Sequence, residues 1–218
     1  MKHVTGLTTA AALILLSAPA LAQQAVSATT DLNIRSGPGP NYEVVGVIGA
    51  DQQAQLDGCA QGSKWCMVTH NGVQGWAYSD YLVADYAGRE AVVTERLAEV
   101  PVVQHDGVAA GGVTGAATGA IAGAIIGGPV GAAIGGVAGA ATGSITGSIV
   151  DPAPEVRTYV RDHRVEPVYL DGEVVVGATL PEEVEVYPIP DYEYRYVYVN
   201  QVPVLVEPSS RRIVYVVR

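Results

Sequence analysis

The chain has 218 residues and a net charge of −10, with no phenylalanine and with glycine concentrated in one central block. Residues 23–106 carry ten acids against four bases, and residues 151–218 carry twelve against seven. Two acidic lobes around an uncharged middle argue against nucleic acid and anionic lipid headgroups as partners, because both need a basic face.

The first 22 residues read as a signal peptide. Lys2 and His3 open a short polar start, residues 10–16 form an apolar core, and Ala20-Leu21-Ala22 matches the small-x-small cleavage pattern. The core is too short to span a bilayer and ends before Pro19. Export with removal of this leader is therefore expected. In an exported chain the two cysteines, Cys59 and Cys66, read as one disulfide.

Residues 26–84 show the pattern of several short strands. Leu32 and Ile34 alternate with Asn33 and Arg35, and Val44-Val45-Gly46-Val47-Ile48 is a second apolar run. Further runs lie at Ala54 and Leu56, at 65–68 and at 73–77. Ser36-Gly37-Pro38-Gly39-Pro40-Asn41 forbids a regular element, and Asn71-Gly72 between apolar runs is a strong hairpin signal. Five short strands in about sixty residues predict a small all-β barrel.

The string Leu32-Asn33-Ile34-Arg35-Ser36-Gly37-Pro38-Gly39-Pro40-Asn41-Tyr42 closely resembles the opening of bacterial SH3 domains. Trp65-Cys66-Met67-Val68, Asn71-Gly72-Val73-Gln74-Gly75-Trp76 and Tyr81-Leu82 follow in the family's order. The resemblance implies an SH3-like barrel of the kind that binds cell-wall peptides or envelope proteins. It also implies a Cys59–Cys66 disulfide like that of one exported branch. The aromatic residues Tyr42, Trp65, Trp76 and Tyr81 near Arg35 are the candidate ligand-binding set, since exposed aromatic side chains anchor ligands. The alternative for each tryptophan is a place in the barrel core.

Residues 85–106 read as a charged linker in which 90–99 favour a short helix stopped by Pro101. The block 107–150 follows, with glycine at every fourth position: Gly107, Gly111, Gly115, Gly119, Gly123, Gly127, Gly131, Gly135, Gly139, Gly143 and Gly147. Small residues at this spacing let helix backbones touch within a membrane. Gly127-Gly128-Pro129 interrupts the block, so an α-helical hairpin of two membrane passes, 108–126 and 130–149, is expected. The block resembles the glycine-zipper two-helix segments of Gram-negative envelope proteins, which implies a membrane and self-association as its partners. The alternative is a spacer or assembly segment, because glycine costs about 1 kcal/mol relative to alanine in a helix in water.

Residues 151–218 form a strand-rich C-terminal domain. A hairpin is predicted from 165–170 and 173–176 around Asp171-Gly172. Tyr192, Tyr194, Tyr196 and Tyr198 alternate along a period-2 strand, Asn200-Gln201 turns into 202–206, and 212–217 close the domain. Residues 177–186 read as a short helix or loop. Leu180-Pro181, the tyrosine strand, Val204-Leu205-Val206-Glu207-Pro208 and Arg211-Arg212-Ile213-Val214 resemble a C-terminal domain of unknown function from exported Gram-negative proteins. More distantly, the tail resembles the terminal hairpin of periplasmic nickel and cobalt homeostasis proteins.

Catalytic patterning is missing from the sequence. His70, His105 and His163 lie in three different segments, and no Gly-x-Ser-x-Gly elbow occurs. The acids Glu182, Glu183 and Glu185 read as a solvated face rather than a metal site. The expected protein is therefore a non-enzymatic envelope protein without catalytic residues, metal or cofactor, exported to the periplasm and membrane-associated. Its barrel recruits wall peptide or a protein. The competing expectation is a soluble periplasmic stress or metal-homeostasis protein.

Overall fold

The computed structural model describes residues 24–104, 120–126 and 150–218. Eight strands build the N-terminal sheet: β1 Gln24–Ala28, β2 Leu32–Arg35, β3 Val44–Ile48, β4 Gln53–Cys59, β5 Trp65–His70, β6 Val73–Tyr78, β7 Leu82–Asp85 and β8 Glu90–Val92. Their spatial order is β3-β2-β6-β5-β4-β1-β7-β8, with antiparallel pairing throughout. The expected strands are all present, and Leu32, Ile34, Leu56, Val68 and Leu82 fill the core. Asn71 and Gly72 both take positive φ, 48° and 80°, which is the hairpin geometry that their sequence calls for. Across β4 and β5, Cys59 stands opposite Cys66 and the two are joined by a disulfide.

The stretch expected to be a linker is built into this module. β8 pairs with β7, and residues 93–99 form a 3-10 turn rather than an α-helix. Pro101 accepts from the Cys59 N–H, and the Val103 N–H returns to the Cys59 carbonyl. The chain thereby straps the disulfide edge of the barrel.

The expected helical hairpin needs correction. Strand β9, Ala120–Ile125, lies inside what was expected to be its first helix. It runs parallel to β10, Tyr169–Asp171, and the Ile126 N–H donates to the Asp171 carbonyl. The physical reason is in the residues: glycine weakens a helix, β-branched Ile121 and Ile125 favour strand, and β10 offers backbone partners. Gly123 thus stands in a strand and not on a helix-packing stripe, while the other ten periodic glycines lie outside the described residues. The signal peptide and the 127–129 turn lie outside them too. No helix among the described residues is long and apolar enough to cross a membrane.

The C-terminal module is a four-stranded antiparallel sheet, β11 Tyr187–Pro188, β12 Arg195–Val199, β13 Val202–Val206 and β14 Ile213–Val216, in sequence order. Helix α1, Pro154–Asp162, covers one face. Proline opens this helix in its first turn, and Glu155 and Arg161 sit at the ends that complement its dipole. The period of two decides which side chain meets which layer. Tyr196, Tyr198 and Leu205 pack with Val160 of α1, whereas Val197, Val199, Val204 and Val206 turn the other way and join the barrel core. The tyrosine stripe is therefore core against α1. Its hydroxyls donate to the carbonyls of His163 (2.8 Å) and Val160 (2.9 Å), which the helix terminus leaves open.

The predicted hairpin around Asp171-Gly172 does not form, since residues 173–176 are not a strand. Instead Leu170, Val174, Val175, Ala178 and Leu180 enter the same hydrophobic cluster as the barrel residues. Leu205 is fully buried between β13 and α1. Leu205→Ala should lower the unfolding free energy by about 2–5 kcal/mol, read from urea denaturation followed by far-ultraviolet circular dichroism.

Candidate functional site

The site sits on β2, whose four residues are all buried. Leu32 and Ile34 face the barrel core. Asn33 and Arg35 project from the opposite face, which a free barrel would give to water. Here that face lies under the C-terminal module. Arg35 and Glu173 are both 0% exposed and are the two buried members of an ion pair.

The pairing is bidentate. Arg35 donates from Nε to Glu173 Oε2 at 2.6 Å and from Nη2 to Oε1 at 2.7 Å. Oε1 also accepts from Asn33 Nδ2 at 3.1 Å and from the Val174 N–H at 2.8 Å. Arg35 Nη1 donates to the carbonyls of Tyr42 (2.7 Å), Pro40 (3.1 Å) and Asn200 (3.3 Å). Charge-assisted bonds of this fork geometry are the strong kind, and the neighbouring donors and carbonyls satisfy both charges.

Local sequence makes this arrangement. In the loop after β2 the Tyr42 ring lies so close to Gly37 that a Cβ there would overlap it, so a larger residue would have to push the ring aside. The loop then brings the Pro40 and Tyr42 carbonyls back onto Arg35. On the other module, Gly172 takes φ 106°, which is strained for any residue with a Cβ, and this turn aims Glu173 at the barrel. Asn200, at the β12–β13 turn with φ 50°, holds the loop: its Oδ1 accepts from the Leu170 N–H (2.9 Å), and its Nδ2 donates to the Gly172 carbonyl (3.2 Å).

The structure brings most of the candidate ligand set together, but not as an open groove. Arg35 lies 6.0 Å from the Trp65 ring centroid, Trp76 is its cross-strand partner, and Tyr42 supplies a carbonyl. Tyr81 lies farther along, 6.3 Å from Tyr78, which packs edge-on against Trp65. Trp65, Trp76 and Tyr81 are 4%, 2% and 3% exposed, and only Tyr42 is half-buried. Sequence reasoning missed Glu173, Asn33 and Asn200. The available signal was a single acid inside the apolar run Gly172-Glu173-Val174-Val175-Val176 and a single arginine inside Leu32-Asn33-Ile34-Arg35, each unusual in a buried run.

An open surface lies beside the pair. A groove of about 340 Å³ is lined by Asn33, Glu43, Val44 and Val47 on the barrel and by Val202, Pro203, Val217 and Arg218 on the C-terminal module. Strand β3 forms its barrel wall and pairs with β2 on one side only among the described strands. Arg218 reaches Asp31 at 3.2 Å, and Gln201 Nε2 donates to the Asn41 carbonyl, so polar contacts tie the modules at this seam.

The histidines and the acid cluster singled out in the sequence do not come together among the described residues, and His105 lies outside them. His70 is held by the Gln53 carbonyl and Asn71, and His163 stacks on Tyr159. Glu182, Glu183 and Glu185 are exposed. No group of three or more His, Cys, Asp or Glu among the described residues is placed to hold a metal ion.

Comparison with known families matches residues 30–83 to the bacterial SH3 domain and residues 159–218 to a domain of unknown function (DUF1236). The chain therefore carries a bacterial SH3 domain followed by this second domain. No curated protein matches the chain. No solved structure matches it either.

Removing one partner of a buried, hydrogen-bonded pair leaves the other charge stranded. Arg35→Ala should lower stability by about 3–5 kcal/mol, and the double variant Arg35→Met/Glu173→Leu should recover most of that loss, both read from chemical denaturation. Burial, and after it the Asp80 charge, pushes the Tyr78 and Tyr81 hydroxyls well above their ordinary value of 10. The folded state thus favours the neutral phenols. Their stabilisation is complete below pH 10 and is lost as the pH rises through and above it, by about 1.4 kcal/mol per pH unit per group. Tyr81→Phe should make the urea midpoint fall less steeply between pH 9 and 11.

Proposed function

We propose that the protein is an exported, non-enzymatic envelope protein whose SH3 domain holds an extended cell-wall peptide in the groove between β3 and the C-terminal sheet. The groove itself carries the proposal. The aromatic face near Arg35 is covered by the chain's own second module, whereas β3 pairs on one side only among the described strands, beside an apolar floor of Val44, Val47, Val202, Pro203 and Val217.

Physical complementarity supports this occupant. An extended peptide adds to a free strand edge through backbone hydrogen bonds and places alternate side chains in flanking pockets. Glu43 and Arg218 put both signs of charge at the groove mouth, which suits a wall peptide bearing ammonium and carboxylate groups. The Cys59–Cys66 disulfide suits an oxidising compartment outside the cytoplasm. A binding role also agrees with the SH3 match, because domains of this family suggest binding to peptidoglycan or protein. The buried pair offers no free nucleophile or base, since both of its charges are spent on hydrogen bonds.

Purified full-length protein is expected to cosediment with isolated peptidoglycan. Val44→Glu on the groove wall should weaken that binding at least tenfold, and Val102→Glu, at an exposed position off β3 and outside the groove, should leave it unchanged. Circular dichroism checks that both variants fold. Absence of cosedimentation, or equal loss in both variants, overturns the proposal. Retention of an envelope protein in place of wall peptide would move the ligand class to protein.

A further inference from the structure

The barrel supplies most of the site that receives Glu173. Arg35 and Asn33 stand two residues apart on β2, and Arg35 is already pinned by the Tyr42 and Pro40 carbonyls of the barrel's own loop. With Nη1 so occupied, Arg35 Nε and Nη2 and Asn33 Nδ2 form a fork of three donors aimed at one carboxylate. The C-terminal module adds only the Val174 N–H to that carboxylate and the Asn200 carbonyl to Arg35.

We propose that β2 carries a preformed carboxylate-binding site and that the C-terminal domain is its resident ligand, docked in cis through Glu173. Ligand chemistry follows from the segment seated there. A glutamate carboxylate enters between a glycine at φ 106° and two small β-branched residues, Val174 and Val175, which are fully buried beyond it. Apolar packing alone does not call for the pair, because a buried ion pair is often no more stabilising than apolar residues of the same volume. Its effect is selective: only a segment that brings a carboxylate to this depth satisfies Arg35. The site shares Asn33 with the lining of the β3 groove but does not depend on wall-peptide binding.

Full-length Glu173→Ala tests this atom for atom, since the substitution removes the equivalent of one acetate ion. Sodium acetate, compared with sodium chloride at equal ionic strength, should raise the melting temperature of this variant saturably. Propionate should do less, because its extra methylene overfills the space. Wild type and Arg35→Met/Glu173→Ala should show no difference between the salts. If Glu173→Ala does not fold in chloride, its refolding yield in acetate against chloride carries the same comparison. Docking is read on the full chain with a protease site inserted after Gly135 and cut after folding. Wild-type halves should co-elute, and Glu173→Ala halves should separate. The freed barrel half should then bind a peptide of residues 171–177 at least tenfold better than the same peptide carrying Glu173→Gln. No acetate preference, wild-type halves that separate, Glu173→Ala halves that stay together, or equal binding of the two peptides overturns the proposal.

Discussion

The Arg35–Glu173 pair is the constraint on which the rest of the structure depends. Two opposite charges with no exposure to water are tolerable only when nearly every donor and lone pair around them is used. That requirement reaches far along the chain. It needs the Gly-Pro loop to return two carbonyls to Arg35, a glycine at 172 to turn the carboxylate inward, and Asn200 to hold that turn. Residues 138 apart are thereby bound to one geometry.

Around this centre the two modules share one hydrophobic cluster. Strands β12 and β13 divide their side chains by alternation, Tyr196, Tyr198 and Leu205 towards α1 and Val197, Val199, Val204 and Val206 towards the barrel. A sheet with two buried faces must have a layer on each side. α1 supplies one and the SH3 barrel the other. Strand β9 pairs its backbone with β10, and Ile126 joins the same packing against the Gly172 turn that carries Glu173.

This arrangement changes what an SH3 barrel can offer a ligand. The aromatic and arginine face that would be open in an isolated barrel is used internally. Edge strand β3 and the seam where Gln201 and Arg218 meet the barrel are what it leaves accessible. The second domain is then more than an appendage, because it buries the Arg35 face and lines half of the β3 groove.

The amino-acid sequence alone determined five of the eight barrel strands, β2 to β6, and the Asn71-Gly72 turn, whereas β1, β7 and β8 were not legible. Alternation in Leu32-Asn33-Ile34-Arg35 and the Asn71-Gly72 dipeptide are local signals, set by side-chain period and by backbone sterics within a few residues. The hairpin around Asn200-Gln201 was legible for the same reason. Glycine periodicity, also local, pointed to helix and was overridden at 120–125, where a partner strand 49 residues away took the backbone hydrogen bonds. The tyrosine stripe was legible as one face of a strand, but its partner α1 was not. Only tertiary structure decided that Glu173 meets Arg35, because a pairing across 138 residues leaves no periodic trace in either segment and depends on the closure of both modules around it.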